Sequence, residues 1–119
     1  MAKLEYLTRS ASGGWRSSAR RRTGPLSSAE GELELVSGSL VFRATDPKHS
    51  LTLAVADLTK NHATWVSLDL RLRDGQKVVF AFGTGAYMHS VGQFAATRTI
   101  SREWQEVIDV ARQEAAVNE

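Results

Sequence analysis

The sequence predicts a mainly β domain that ends in one helix, an α+β fold. Short segments between residues 31 and 82 alternate apolar and polar side chains, which is typical of strands with one buried face. Glycine-containing turns separate these segments, and residues 100–115 carry an apolar stripe at helical spacing. We expect a bent antiparallel sandwich or partly open barrel of six to seven strands, capped by one amphipathic helix.

Size and composition fit one domain. The chain has 119 residues, which is long enough for a core that needs no covalent staples. It contains no cysteine, so disulfides and thiolate metal sites are excluded and a reducing compartment is favoured. The longest apolar run, residues 78–82, is far too short to span a membrane, and the first residues lack a signal-peptide core. We expect a cytoplasmic protein, free or at the inner membrane surface.

The positive charge is concentrated near the N-terminus. Residues 1–25 hold six basic side chains and one acidic side chain, a net charge of +5. The remaining residues hold nine basic and twelve acidic side chains, a net charge of −3. The N-terminal segment can therefore attract an anionic partner.

The beginning of the chain is expected to lie outside the domain. Ser10-Ala11-Ser12-Gly13-Gly14 stops any helix that starts near Leu4, so residues 1–14 are interpreted as a flexible basic arm and residues 15–119 as a single domain. A first strand begins at Trp15. Its alternation places Ser17 and Ala19 with Trp15 on one face, and the opposite face holds Arg16, Ser18, Arg20 and Arg22.

The first hairpin is the clearest strand pair. A two-residue turn at Ser37-Gly38 pairs Leu35 with Leu40 and Leu33 with Phe42. All four large side chains then share one face, so register and hydrophobic pattern agree. Asp46-Pro47-Lys48-His49 is predicted to turn, and residues 51–55 to form the next strand.

The second hairpin joins residues 66–72 to residues 78–82. A two-residue Asp-Gly turn would place the facing phenylalanines on the wrong side of the sheet. A three-residue loop, Arg73-Asp74-Gly75, instead pairs Leu70 with Val78 and Leu68 with Phe80, with the glycine at positive φ. The sequence therefore predicts the three-residue loop.

The last element is an amphipathic helix. Its apolar stripe consists of Ile100, Trp104, Val107, Ile108, Ala111 and Ala115. Ser101 is predicted to cap this helix, with Glu103 in its first turn. Residues 84–99 are left open as a short helix or an ordered loop.

The order of these segments resembles the pleckstrin-homology superfold, most closely its GRAM branch and bacterial relatives. The matching pieces are GELEL at 31–35, LVF at 40–42, LTLAVADL at 51–58, LDLRLRDGQKVVFAF at 68–82 and EWQEVI at 103–108. This resemblance implies a binding module without catalysis, whose relatives bind phosphoinositides, other anionic lipids or peptides. In such domains the loop after the first strand carries basic residues.

No catalytic, cofactor-binding or metal-binding constellation emerges. Gly83-Thr84-Gly85 follows a strand, but Met88 occupies the third glycine position of a dinucleotide fingerprint, so we interpret these glycines as a turn. The three histidines, His49, His62 and His89, have no second ligand at metal-binding spacing. We expect no enzyme, no cofactor and no metal.

One basic cluster is the candidate site. Its residues are Arg16, Arg20, Arg21, Arg22 and Lys48. Guanidinium groups bind phosphate bidentately, so we expect contact with an anionic lipid surface or an acidic protein. A solvated loop that only keeps the protein soluble is the other interpretation. A protein adaptor or homo-oligomer using the helix face or a sheet edge is an alternative function, and nucleic-acid binding ranks third.

Overall fold

A computed structural model describes residues 6–11, 13–82 and 91–117, with the side chains of α1 described from residue 96 onward. It has eight strands and one long helix in this part of the chain. The strands are β1 (Thr8–Arg9), β2 (Trp15–Gly24), β3 (Ser27–Val36), β4 (Ser39–Ala44), β5 (Leu51–Ala54), β6 (Leu58–Ala63), β7 (Ser67–Leu72) and β8 (Lys77–Ala81). The helix is α1 (Val91–Val117), and two 3-10 turns span Pro47–His49 and Val55–Asp57. The predicted α+β class is confirmed.

All strands belong to one antiparallel sheet that does not close into a barrel. Its order is β5-β4-β3-β2-β8-β7-β6, and β1 pairs with β2. The strand β2 pairs with β3 along its whole length, but with β8 only at Arg20 and Arg21. The two halves of the sheet are therefore joined through a short ladder, and β5 and β6 are the outermost strands of this order.

Both predicted hairpin registers are confirmed. Leu35 pairs with Leu40 and Leu33 with Phe42 across the Ser37-Gly38 turn. In the second hairpin Leu70 pairs with Val78 and Leu68 with Phe80, across the loop Arg73-Asp74-Gly75. Gly75 has φ +91°, a conformation that glycine adopts without strain. The sheet keeps one apolar face because each register places the large side chains on the same side.

The helix packs its apolar stripe against this face. Trp104, Val107 and Ile108 are buried in one cluster with the inward side chains of the sheet, and Ile100 and Ala111 pack against that cluster. Five of the six predicted stripe residues are thus confirmed, and Ala115 is not part of this cluster. The stripe is therefore covered by this chain's own sheet, so the buried part of the helix face has no free surface for a partner.

The helix begins earlier than the pattern suggested. It extends from Val91, so Ser101 lies in its interior and does not cap it. Ser101 is fully buried and its hydroxyl donates to the carbonyl of Thr97 over 3.0 Å. The prediction was wrong because Gly92, Thr97 and Thr99 have low helix propensity, which the longer helix overrides.

Two strands were missed, the short β1 and β6 at the sheet edge. In β6, Asn61 faces the helix, where an apolar residue would complete the alternation. The Asn61 Nδ2 group donates to the Gln105 carbonyl and to the Asp109 carboxylate, both over 3.0 Å. The Ala63 N–H donates to Gln105 Oε1 over 2.7 Å, and Arg112 donates to the Leu58 carbonyl over 3.1 Å. The helix thus covers this edge of the sheet with side-chain hydrogen bonds.

The N-terminal segment is part of the folded body where the structure describes it. Leu7 is buried, and β1 extends the sheet beside Trp15 and Arg16 of β2. The prediction placed residues 1–14 outside the domain as a flexible arm. The described part differs because Leu7 fills the core and its backbone finds a partner on α1, Glu103.

Candidate anion-binding surface

The strand β2 carries four of the five predicted residues, but it does not bring them together. Its alternation places Arg16, Arg20 and Arg22 on the outer face and Arg21 on the core-facing side, where Arg21 pairs with Phe80 of β8. Arg16 and Arg22 lie six residues apart, which is about 20 Å along a strand. The predicted cluster is thus a row along one strand, with one residue pointing the other way.

Glutamates of β3 neutralise most of this row. Arg20 Nη2 lies 2.6 Å from Glu30 Oε1, directly across the ladder. Arg16 Nη1 lies 3.7 Å from Glu32 Oε1 on the diagonal. The outer face of β2 and β3 therefore alternates in charge, and both arginines are engaged in ion pairs within the sheet.

A third glutamate of β3, Glu34, forms an ion pair with an arginine of the neighbouring strand β4. Arg43 Nη1 of β4 lies 2.6 Å from Glu34 Oε1, and Glu34 is buried although it faces outward. Sequence reasoning missed these pairs, yet the signal was present. The alternation that predicted β3 also places its glutamates on the face opposite Leu33 and Leu35.

Arg21 links β2 to the β4–β5 connection at one end of the sheet. Its Nη1 group donates to the His49 carbonyl over 2.9 Å, in the 3-10 turn between β4 and β5. The antiparallel order places this turn beside the β2–β3 connection. Lys48 belongs to the same turn, and its ammonium group lies 3.5 Å from the Asp46 carboxylate in solvent. Arg21 and Lys48 therefore lie at the same end as the tip of the β2–β3 hairpin.

The hairpin tip is short and apolar. Only Pro25 and Leu26 separate β2 from β3. The Leu26 side chain is fully exposed, at 102% of its reference area. Arg22 is exposed beside it and forms no side-chain hydrogen bond or ion pair with the described residues. We call Arg21, Arg22, Leu26 and Lys48 the loop end.

A buried carboxylate holds the N-terminal segment, and sequence reasoning gave it a different role. Glu103 Oε1 accepts hydrogen bonds from the Tyr6 and Leu7 backbone N–H groups, over 3.0 and 3.2 Å. Glu103 is only 7% exposed and lies in the fourth turn of α1, away from its N-terminus. The Glu103 carboxylate therefore binds backbone N–H groups of the N-terminal segment, and it does not lie in the first turn of the helix as predicted.

The described residues contain no group of three His, Asp or Glu side chains close enough to hold a metal ion. His49 and His62 lie apart, on the 3-10 turn and on β6, while His89 and Gly83-Thr84-Gly85 lie outside the described residues. A depression of about 480 Å³ on the outer face is lined by the Arg20–Glu30 pair, Glu32 and Arg43. No described helix is long and apolar enough to cross a membrane.

Comparison with known proteins supports the fold. Neither the protein-family models nor the curated proteins gave a match to this sequence. Among solved structures, the chain is similar to the crystal structure of the C-terminal domain of an unknown protein from Leishmania infantum, with a TM-score of 0.52. The two chains are 9% identical, and the match covers 66% of this chain and 80% of the other. At this identity the likeness concerns fold alone.

Proposed function

We propose that this protein is a non-catalytic binding module of the pleckstrin-homology type that contacts an anionic membrane surface through its loop end. The observation that carries the proposal is the fully exposed Leu26 at a hairpin tip beside Arg22, which forms no side-chain hydrogen bond or ion pair with the described residues. The meander of strands and the capping helix support the resemblance to pleckstrin-homology and GRAM domains.

The chemistry of the loop end suits a lipid headgroup layer. A basic side chain near an anionic membrane contributes about 1 kcal/mol, and an apolar side chain at the tip gains by leaving water. Leu26 would enter the interface while Arg22 and Lys48 contact headgroup phosphates. An acidic protein would use the same cations, but it would gain less from a single leucine at the end of a narrow hairpin.

The proposed contact surface has fewer residues than the basic cluster predicted from the sequence. Arg16 and Arg20 are held by Glu32 and Glu30, so we leave them out of the membrane contact. Arg21 contributes by holding β2 to the β4–β5 connection through the His49 carbonyl, which orients the loop end. Arg22, Leu26 and Lys48 remain as the contacting side chains.

Vesicle co-sedimentation tests the proposal. We expect binding to vesicles that contain phosphatidylserine, weaker binding at high salt, and no binding to neutral phosphatidylcholine vesicles. Arg22→Glu should lower the partition coefficient by about 10-fold or more, because it reverses one charge at the interface. Leu26→Ser should lower it several-fold without changing the fold, since this side chain is fully exposed.

Arg102→Glu is the matched control for this experiment. Arg102 is exposed on α1, forms no side-chain hydrogen bond or ion pair with the described residues, and undergoes the same change in charge. If Arg102→Glu and Arg22→Glu weaken binding equally, the attraction comes from net charge and the loop-end assignment is wrong. Equal binding to neutral and anionic vesicles would also reject it.

A further inference from the structure

A row of three cations crosses the outer face of the second half of the sheet. Lys60 of β6 pairs with Arg71 of β7, which pairs with Lys77 of β8. All three are exposed. Successive side chains of a strand point to opposite faces, and the neighbours Leu70 and Val78 are buried, so the row lies on the outer face. We call these three residues the β6–β8 cation row.

The row places like charges directly opposite one another. Side chains at such positions have Cβ atoms about 5 Å apart, and like charges there are destabilising. The outer face of the other half of the sheet avoids this arrangement, since Arg16, Arg20 and Arg43 each pair with a glutamate of β3. Among the described residues, no ion pair involves β6, β7 or β8.

Two acidic side chains, one on β7 and one in the β7–β8 loop, form hydrogen bonds with other groups. Asp69 Oδ1 accepts from the Ser67 hydroxyl over 3.0 Å, and Asp74 Oδ1 accepts from the Gln76 backbone N–H over 2.8 Å. Neither carboxylate forms an ion pair within the described part of the chain. The charge of the row is therefore not compensated by these two neighbours.

We propose that the β6–β8 cation row is a second anion-binding site, which takes the phosphate groups of a small soluble diphosphate or triphosphate. Two ammonium groups on flexible stems flank one planar guanidinium, so all three can converge on one polyphosphate chain. The row consists of cations alone. Binding here is therefore ionic, unlike at the loop end, and does not depend on the proposed function.

An NMR titration of the full chain with inorganic pyrophosphate tests this site. We expect saturable ¹H–¹⁵N shifts concentrated in β6, β7 and β8, and weaker binding of inorganic phosphate, which carries less charge. Arg71→Glu should lower pyrophosphate affinity by 10-fold or more, because it removes the guanidinium fork and adds a repelling charge. Arg102→Glu, with the same change in charge on α1, should lower it by less than 2-fold.

Several outcomes would overturn the proposal. Shifts that do not saturate, shifts concentrated at Arg22 and Lys48, or equal losses for Arg71→Glu and Arg102→Glu would each contradict it. Vesicles containing phosphatidylserine separate the two sites: Arg71→Glu should leave most vesicle binding intact while Arg22→Glu removes it. Binding of the row to vesicles but not to pyrophosphate would also reject a soluble ligand. Thermal melting of Arg71→Glu verifies the fold, and we expect a melting temperature at or above that of the parent.

Discussion

The indole N–H of Trp104 donates a hydrogen bond to the Ser17 hydroxyl over 2.8 Å, joining residues 87 positions apart. Trp104 is fully buried on α1, and Ser17 lies on the core-facing side of β2 and donates to the Ser18 carbonyl. This bond satisfies the one polar atom of the largest core side chain. It also connects the helix to the first long strand, three residues before the short ladder that joins the two halves of the sheet.

Trp104→Ala should lower the free energy of unfolding by about 3–5 kcal/mol, because it leaves a large cavity in the core. Ser17→Ala should cost about 1–3 kcal/mol, since it leaves the buried indole N–H without a partner. Urea denaturation measures both values. In a double-mutant cycle with Trp104→Phe, the two substitutions should be strongly non-additive, and additive costs would show that this hydrogen bond contributes nothing.

Leu7→Ala should cost about 2 kcal/mol or more, because Leu7 is 4% exposed within the core cluster. Glu103→Ala should cost about 1–3 kcal/mol, since it removes the acceptor of the Tyr6 and Leu7 N–H groups. Both variants should also speed protease cleavage between residues 6 and 14. Tyr6→Ala is the control, because its side chain is 40% exposed. Cleavage of both variants at the parental rate would contradict the docking of the N-terminal segment through Leu7 and Glu103.

Gly75→Ala should lower the free energy of unfolding by about 1–2 kcal/mol, because an L-residue at φ +91° is strained. Gly75→Asn should cost less, since asparagine adopts the left-handed conformation more easily. Chemical denaturation compares the two variants with the parent. Equal stability of all three would mean that the three-residue loop does not determine the register of β7 and β8.

Charge reversal should have opposite effects on the two halves of the sheet. Arg71→Glu should stabilise the fold by about 0.2–1 kcal/mol at low salt, because it places a carboxylate between Lys60 and Lys77. Arg20→Glu should destabilise it by a similar amount, since it faces Glu30 across the ladder. Denaturation at low and high salt measures both, and salt should reduce both differences. Two changes of the same sign would contradict the contrast between the two faces.

The local sequence pattern was sufficient to predict an element and its register wherever one face of that element is uniformly apolar. The pairs Leu33–Phe42 and Leu68–Phe80 follow from alternation and turn length alone, because a slip of one residue would expose every large side chain. Local pattern failed at β6, where the inward position of Asn61 is satisfied by α1, an element 44 residues away. No signal within residues 58–63 reports such a partner.

At the candidate site, too, the sequence predicted which residues are basic, but distant elements determine which of them are paired. The residue type and position of Arg20, Arg21 and Arg22 suggested one anionic contact, but consecutive residues of a strand face opposite sides. Their partners belong to other elements: Glu30 on β3 for Arg20, and the His49 carbonyl for Arg21. Among these three, only Arg22 is left without such a partner in the described part of the chain. Charge counted along the sequence therefore overestimated the free charge at this site.

The sequence by itself determined the α+β class, the two hairpin registers and the buried stripe that includes Trp104. These features depend on periodicity and turn chemistry, which act between residues close in the chain. The tertiary structure decided where α1 begins, that Leu7 and Glu103 meet, and that Lys60, Arg71 and Lys77 share a row. Such features depend on which distant elements become neighbours, because hydrogen bonds and cross-strand charges form between whichever groups packing brings together.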